Sequence, residues 1–344
     1  MQENEENPKS LKIFTAETGK FQMRIPIEWE YKNPSLYKSN KSVPEAFGMY
    51  DKLIGAFQIS CKEVNDHIKE LIKSNGLTTQ SSDLKQLKFV EKLVVLEKTH
   101  NYIWLCAVDD HLFLSTYIVN TRKHNSSRGV LEFNIVRNVL DNIKFIKPQF
   151  REIVISQNRY HLFMASIAAT IDLRNKAYES NSFIECIVLT ANYIDALLRS
   201  AIILTNQLEH RNSVIDISVL FQSESDKPIM EKEIYKRALS RNIIDQELFD
   251  GLINLYNERN KVVHRYIITD IRTEDIKQIL FRYYELDDKV WKIVNTLEKR
   301  QFEQEIGLYG NGIEPGTEIK GELKLILNSQ IRDKHGRIEQ AKEK

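Results

Sequence analysis

One short segment of the chain brings together side chains suited to acid–base and phosphate chemistry. It runs Arg259-Asn-Lys-Val-Val-His264-Arg-Tyr266 and follows an apolar stretch with helical spacing, Leu248–Tyr256. A histidine exchanges protons near neutral pH because its ordinary pKa lies there. An arginine holds two phosphate oxygens at once and keeps its charge at any physiological pH. The segment is therefore the best candidate in the sequence for an active site.

The same segment resembles the motif of the HEPN superfamily, which consists of antiparallel helical bundles with an arginine and a histidine separated by four to six residues. Here four residues separate Arg259 from His264, and Asn260 follows the arginine, as is common in that family. Tyr266 completes a longer form of the motif that occurs in the toxin partners of HEPN–nucleotidyltransferase pairs. The resemblance covers about residues 159–300 and includes the position of the motif before the last long helix.

This resemblance implies a metal-independent endoribonuclease that acts as a homodimer, with two motifs facing each other across one composite site. Such cleavage needs a base near the ribose 2′-OH, an acid for the leaving 5′-oxygen and positive charge at the phosphate. By the resemblance, His264 is the acid or base, Arg259 the phosphate clamp and Asn260 a positioning hydrogen bonder. Tyr266 and Lys261 would orient groups and add positive charge. A stress or phage-defence role also follows from the resemblance alone.

Polar residues on the second helix of the bundle form a further candidate feature. Glu185, Asn192, Asp195 and Arg199 recur at spacings of seven, three and four, which places them close to one helix face. They would line the groove that receives the Arg–His motif. The alternative is a solvated helix face that is stabilised by an ion pair between Asp195 and Arg199.

Other interpretations of the motif stay open at this point. Arg259 would have a structural role if it paired with a carboxylate such as Asp195 or Glu258, and His264 would cap the end of its helix. The chain would then be a non-catalytic, two-domain binding or assembly protein that dimerises through its helical half. A third interpretation is a pocket for a nucleotide-like ligand, in which Arg259 binds phosphate and His264 is dispensable.

Composition limits these functions. Net charge is +1, and residues 1–150 carry 21 Lys+Arg against 18 Asp+Glu, so the chain lacks the overall basic character of a nonspecific nucleic-acid binder. No apolar run reaches the ~18 residues of a membrane span, and the polar start predicts no secretory signal. Cys61, Cys106 and Cys186 fit free thiols in the cytoplasm. No motif predicts a metal or cofactor.

Residue periodicity predicts an α+β N-terminal domain with an antiparallel sheet flanked by helices. Two helices are expected, at 63–74 and 126–141, and Asp109-Asp110-His111 is expected to connect a tight hairpin. The five predicted strands are 20–25, 54–60, 89–96, 102–108 and 112–119. The opening and ending of this region, Phe21–Trp29 and Leu140–Phe145, are similar to those of PsbP-like α/β/α sandwiches across about residues 11–146.

An all-α antiparallel bundle is predicted to follow, because the apolar period becomes 3.6 from about residue 160. Its helices are expected at 159–176, 183–207, 228–240, 245–257 and 273–304. The predicted organisation is a disordered tail (1–10), a sandwich that acts as a sensor or docks a regulatory protein or ligand (11–147), the bundle (155–305) and a partly disordered extension (306–344). Within that extension, 318–327 is predicted to add one strand or a short helix.

Overall fold

The computed structural model describes residues 10–32, 45–49, 54–220, 227–310, 312, 314–315 and 321–335. The chain divides into two compact units, residues 1–155 with 321–333 and residues 156–320 with 334–344. The first unit carries antiparallel sheets with helices, and the second is largely helical. The predicted fold class is confirmed. Apart from Ser10, the predicted N-terminal tail lies outside the described residues.

The strands of the first unit form two antiparallel sheets. In the described part of the chain, one sheet has the order β1-β2-β9 and the other has the order β3-β4-β5-β8-β7-β6. The strand bounds are β1 (Leu11–Thr15), β2 (Phe21–Pro26), β3 (Trp29–Lys32), β4 (Glu45–Met49), β5 (Gly55–Glu63), β6 (Val90–Val95), β7 (Thr99–Val108), β8 (His111–Asn120) and β9 (Lys144–Phe145).

This arrangement corrects the prediction of a single five-strand sheet. The predicted strand at 20–25 corresponds to β2, which lies in the three-stranded sheet rather than beside the other four. β1, β3, β4 and β9 were not predicted. β5 continues through Glu63, so the following helix begins at Asp66, where the Asn65 side chain accepts a hydrogen bond from the Ile68 backbone N–H.

The predicted hairpin between β7 and β8 is confirmed. Val108 lies opposite His111, so Asp109 and Asp110 form a two-residue connection. Asp109 has a φ of 46°, the left-handed conformation that such tight turns require and that aspartate tolerates. The long strands on either side carry the apolar core of the unit on one face, which α3 covers.

Four helices in the described part of the chain accompany these sheets, with bounds α1 (Asp66–Ser74), α2 (Thr121–His124), α3 (Ser127–Asp141) and α10 (Glu322–His335). The start of α3 is as predicted, because the Ser126 hydroxyl caps it by accepting from the Gly129 backbone N–H at 3.1 Å. Within the part of 318–327 that the structure describes, residues 322–327 belong to α10 and are helical rather than a strand. The Ser329 hydroxyl of α10 donates to the Ile27 carbonyl at 2.7 Å.

The bundle contains α4 (Pro148–Glu179), α5 (Phe183–His210), α6 (Ile217–Leu220), α7 (Glu231–Ser240), α8 (Gln246–Arg265) and α9 (Thr273–Glu303), with a 3-10 turn at Tyr266–Ile268. α4 begins at Pro148, eleven residues before the predicted start. Proline fits the first turn of a helix, because the backbone N–H that it lacks would have no partner within the helix there. The boundary between the two units falls within α4.

α5 is the central helix of the bundle. It packs against α7, α8 and α9, and its buried residues include Ile187, Ile194 and Leu198. Among the described residues it is the one helix long and apolar enough to cross a membrane, but 67% of its most apolar window is buried inside the protein. Its apolar character is thus used in core packing.

Candidate active site at the end of α8

α8 extends through the whole predicted motif. The prediction ended this helix at Asn257, but the structure continues it to Arg265 and starts the 3-10 turn at Tyr266. Leu252, Leu255 and Val262 form its buried stripe, and Arg259 falls on that stripe at helical spacing. Five residues advance an α-helix by ~140° beyond full turns, so Arg259 and His264 lie on different faces.

The Arg259 guanidinium is mostly buried and has partners within its own chain. Its Nη1 donates to Glu231 Oε2 at 2.6 Å, and its Nη2 donates to Asn260 Oδ1 at 3.2 Å. The side chains of Arg259 and Glu231 are only 13% and 14% exposed. The guanidinium also lies over the Tyr256 ring, 4.8 Å from its centroid. The Glu231 carboxylate is thus already paired with the guanidinium that the resemblance assigns to phosphate binding.

Glu231 was not among the predicted partners of Arg259. It lies in the first turn of α7, where a carboxylate also compensates the positive end of the helix dipole. Of the two carboxylates that the sequence analysis considered, Glu258 pairs with Arg282 at 2.7 Å. Asp195 pairs with Arg199. No sequence motif marks Glu231, because it lies 28 residues from Arg259.

The Arg259–Glu231 pair belongs to a larger buried polar cluster. The other Glu231 oxygen accepts a hydrogen bond from the Tyr235 hydroxyl. Burial raises the pKa of Tyr235 and of Tyr283, so both phenols stay neutral. Two polar atoms near this pair, the Tyr283 hydroxyl and Asp195 Oδ1, are buried and have no hydrogen-bond partner among the described residues. This cluster is polar but well covered.

The candidates on α5 divide into two groups. Glu185 is exposed, whereas the side chains of Asp195 and Arg199 are 20% and 12% exposed. Arg199 Nε donates to Asp195 Oδ2 at 2.6 Å, and its two Nη atoms donate to the carbonyls of Val219 and Ile229 at 2.7 and 3.0 Å. The expected ion pair is present, but it is mostly buried rather than on a solvated face. Burial raises the pKa of Asp195 despite the nearby Arg199 charge.

The C-terminal end of α8 differs from its middle in being open to solvent. His264, Lys261 and Arg265 are all exposed, and within the described part of the chain His264 has no hydrogen-bond or ion-pair partner. The segment 259–266 contains no carboxylate. Asn260 lies four residues before His264 and so shares its face of the helix, and the Asn260 Oδ1 accepts a hydrogen bond from the buried Arg259.

Apolar side chains surround this exposed cationic end. Tyr266 is 39% exposed, and Val263, Ile267 and Ile268 are exposed as well. We call these four residues the α8 tip. A cleft of about 250 Å³ in the bundle lies elsewhere, and its lining includes Arg174, Tyr178 and Tyr284. Neither Arg259 nor His264 lines it. The described residues contain no group of three side chains suited to hold a metal ion.

Comparisons with known proteins do not assign a family. No family model matches the chain, and no curated protein matches it. A crystal structure from Bacteroides thetaiotaomicron VPI-5482 aligns with a TM-score of 0.28 and 14% identity, over 54% of this chain and 76% of that one. The solution structure of PsbP (CyanoP) from Synechocystis sp. PCC 6803 aligns with a TM-score of 0.21 and 9% identity, over 42% and 98%. Similarity this low does not establish a common fold.

Proposed function

We propose that the protein is a metal-independent endoribonuclease of the HEPN type, with His264 as the catalytic acid or base. The observation that carries the proposal is the exposed imidazole at the end of α8, which lies beside two exposed cations, Lys261 and Arg265, in a segment without a carboxylate. Such a surface attracts the phosphate backbone of RNA locally, although the whole chain is nearly neutral. An imidazole without a partner is free to exchange a proton with substrate.

The role of Arg259 in this proposal is narrower than the resemblance implies. Its bond to Glu231 makes it a buried anchor that holds α8 to α7, and its second hydrogen bond holds the Asn260 side chain. Phosphate binding then falls mainly to the exposed Lys261 and Arg265. A second copy of the chain, joined at the α8 tip, would bring another His264 to the same substrate and provide both an acid and a base.

The test is cleavage of a structured RNA by the purified protein in EDTA. Wild-type protein should release fragments with 2′,3′-cyclic phosphate ends, because the 2′-OH is the nucleophile in the metal-independent reaction. His264→Ala should slow cleavage by about 100-fold or more. The control is His210→Ala, which removes another exposed histidine of the same unit, at the end of α5. Equal cleavage by His264→Ala and wild type would disprove the proposal.

A second candidate function is non-catalytic assembly through the bundle. The observation that favours it is the combination of a neutralised Arg259 with the exposed apolar α8 tip. The tip would then be a contact surface, and His264 a residue at its rim. Absence of RNA cleavage together with a dimer that dissociates on Ile267→Ser and Ile268→Ser would support this candidate over the first.

A further inference from the structure

The last strand of the six-stranded sheet has the features of an unpaired edge. β6 hydrogen-bonds with β7 on one side and has no strand on its other side within the described residues. Every residue of β6 is exposed, and its apolar side chains are 42–59% exposed: Val90, Leu93, Val94 and Val95. Natural proteins usually protect such edges, because they pair readily with another strand.

The hydrogen bonds of the β6–β7 hairpin determine which backbone groups point outward. The Leu96 N–H donates to the Thr99 carbonyl at 2.8 Å, so residues 96, 94, 92 and 90 direct their backbone groups toward β7. The alternate residues Glu91, Leu93 and Val95 therefore present their N–H and C=O groups at the open edge. Three such residues are enough for an added antiparallel strand of the length of β6.

Charge selects the register in which two copies of β6 can pair. A twofold axis perpendicular to a continuous antiparallel sheet places one residue opposite itself. We call this residue the centre of the register. A centre at Glu91 or Lys92 places that charged residue directly opposite its own copy, and a centre at Val94 places Glu91 of one chain opposite Glu97 of the other. Like charges directly opposite destabilise a sheet. Centres outside residues 91–94 pair fewer residues of the strand.

A centre at Leu93 avoids these conflicts. It places Leu93 opposite its own copy, Glu91 opposite Val95, and Lys92 opposite Val94. The charged residues also have partners in their own chain. Glu91 Oε2 accepts from Trp104 Nε1 at 2.9 Å and lies 3.9 Å from Arg137 Nε, and Lys92 donates to the Asn75 side chain just after α1. All three outward-facing residues are then used in hydrogen-bonded pairs.

We propose that two copies of this chain associate through β6, in antiparallel register centred on Leu93, to form one sheet across a twofold axis. The occupant of the edge is thus a second copy rather than a foreign peptide. Leu93 then packs against its own copy, and Val94 and Val95 are covered by the aliphatic parts of Lys92 and Glu91 from the other chain. This interface belongs to the first unit and does not depend on the proposed ribonuclease activity.

Disulfide formation in the full-length protein tests both the partner and the register. In the proposed pair the two Leu93 Cα atoms lie about 5.5 Å apart, which a disulfide can span. Mild oxidation of Leu93→Cys should therefore give a covalent dimer that dithiothreitol reverses. Val95→Cys is the matched control, because two copies of residue 95 would lie about 13 Å apart along the strands. Wild type measures the background from Cys61, Cys106 and Cys186.

Equal cross-linking of Leu93→Cys and Val95→Cys would overturn the proposed register. A yield from Leu93→Cys no higher than that of wild type would overturn the pairing itself. If the cysteine variants fail to fold, sedimentation of wild type and Leu93→Asp decides the matter, because this substitution places two carboxylates directly opposite in the proposed pair. A strictly monomeric wild type at micromolar concentration, or a Leu93→Asp variant that associates as strongly as wild type, also overturns the pairing. RNA cleavage is a separate readout, so failure of either proposal is distinguishable from failure of the other.

Discussion

The middle and the end of α8 carry the two halves of one motif in opposite environments. Arg259 lies on the buried stripe of the helix and is held by Glu231, Asn260 and the Tyr256 ring. One and a half turns later, His264 is exposed beside the apolar α8 tip. A motif defined by spacing alone can therefore contain one residue that stabilises the fold and another that is available for chemistry.

The largest expected effect comes from breaking the buried half. Glu231→Ala leaves Arg259 buried without its carboxylate and removes the acceptor of the Tyr235 hydroxyl, so the free energy of unfolding should fall by about 3–5 kcal/mol. Urea denaturation measures it. Glu233→Ala is the control, since Glu233 pairs with Arg237 on the surface of the same helix and should cost ~0.5 kcal/mol or less. A similar loss of stability in both variants would contradict the stabilising role of the buried Arg259–Glu231 pair.

A smaller effect should appear in the pH dependence of stability. Burial raises the pKa of Asp195 above its ordinary value of 3.8, so the folded protein holds this proton more tightly than the unfolded chain. Stability from this group is present below pH 3.8 and is lost as pH rises through the folded pKa. Asp195→Asn should therefore reduce the fall in the free energy of unfolding as the pH rises from 3.8, which urea denaturation at a series of pH values measures. The exposed Asp288→Asn is the control, and an identical change in both would argue against the buried carboxylate as its source.

The smallest effect is expected at the exposed half. Ile267 is 94% exposed, so Ile267→Ser should change the free energy of unfolding by less than about 0.5 kcal/mol. Leu255→Ala on the buried stripe of α8 should instead cost about 2–5 kcal/mol, because Leu255 is 3% exposed. Thermal or urea unfolding measures the change in the free energy of unfolding for each variant. A loss above 1 kcal/mol at Ile267 would mean that the α8 tip packs against the protein.

The fold class was predictable from the sequence because the apolar period changes clearly near residue 160. The long strands β7 and β8, with their Asp109-Asp110 turn, and the capped helix α3 also followed from local signals. β1, β3, β4 and β9 are short, with two to five residues each, and carry too few alternations for a period to be recognised. The sheet to which a strand belongs depends on pairing with residues far away in the sequence. For this reason β2 was predicted in one sheet with the other four strands, whereas it lies in the three-stranded sheet.

The candidate site was predictable only in part. Residue types identified the segment from Arg259 to Tyr266, and the spacing from Leu255 to Val262 would also have placed Arg259 on the buried face. The partner of Arg259 was not predictable, because it depends on how α7 and α8 are rotated against each other. Sequence distance favoured Glu258, whereas tertiary packing brought Glu231 to the guanidinium. The catalytic role of His264 remains a proposal for the RNA experiment to decide.

The hydrogen bonds of Arg199 determine where insertions and deletions between α6 and α7 are tolerated. Its guanidinium binds the carbonyls of Val219 and Ile229, which lie ten positions apart, so one side chain fixes both ends of the connection between α6 and α7. Closing a longer loop between fixed ends costs little, about 0.6 kcal/mol for each doubling of its length. Insertions and deletions between these two anchors should accumulate in homologous chains, while the start of α7, and with it Glu231, keeps its place.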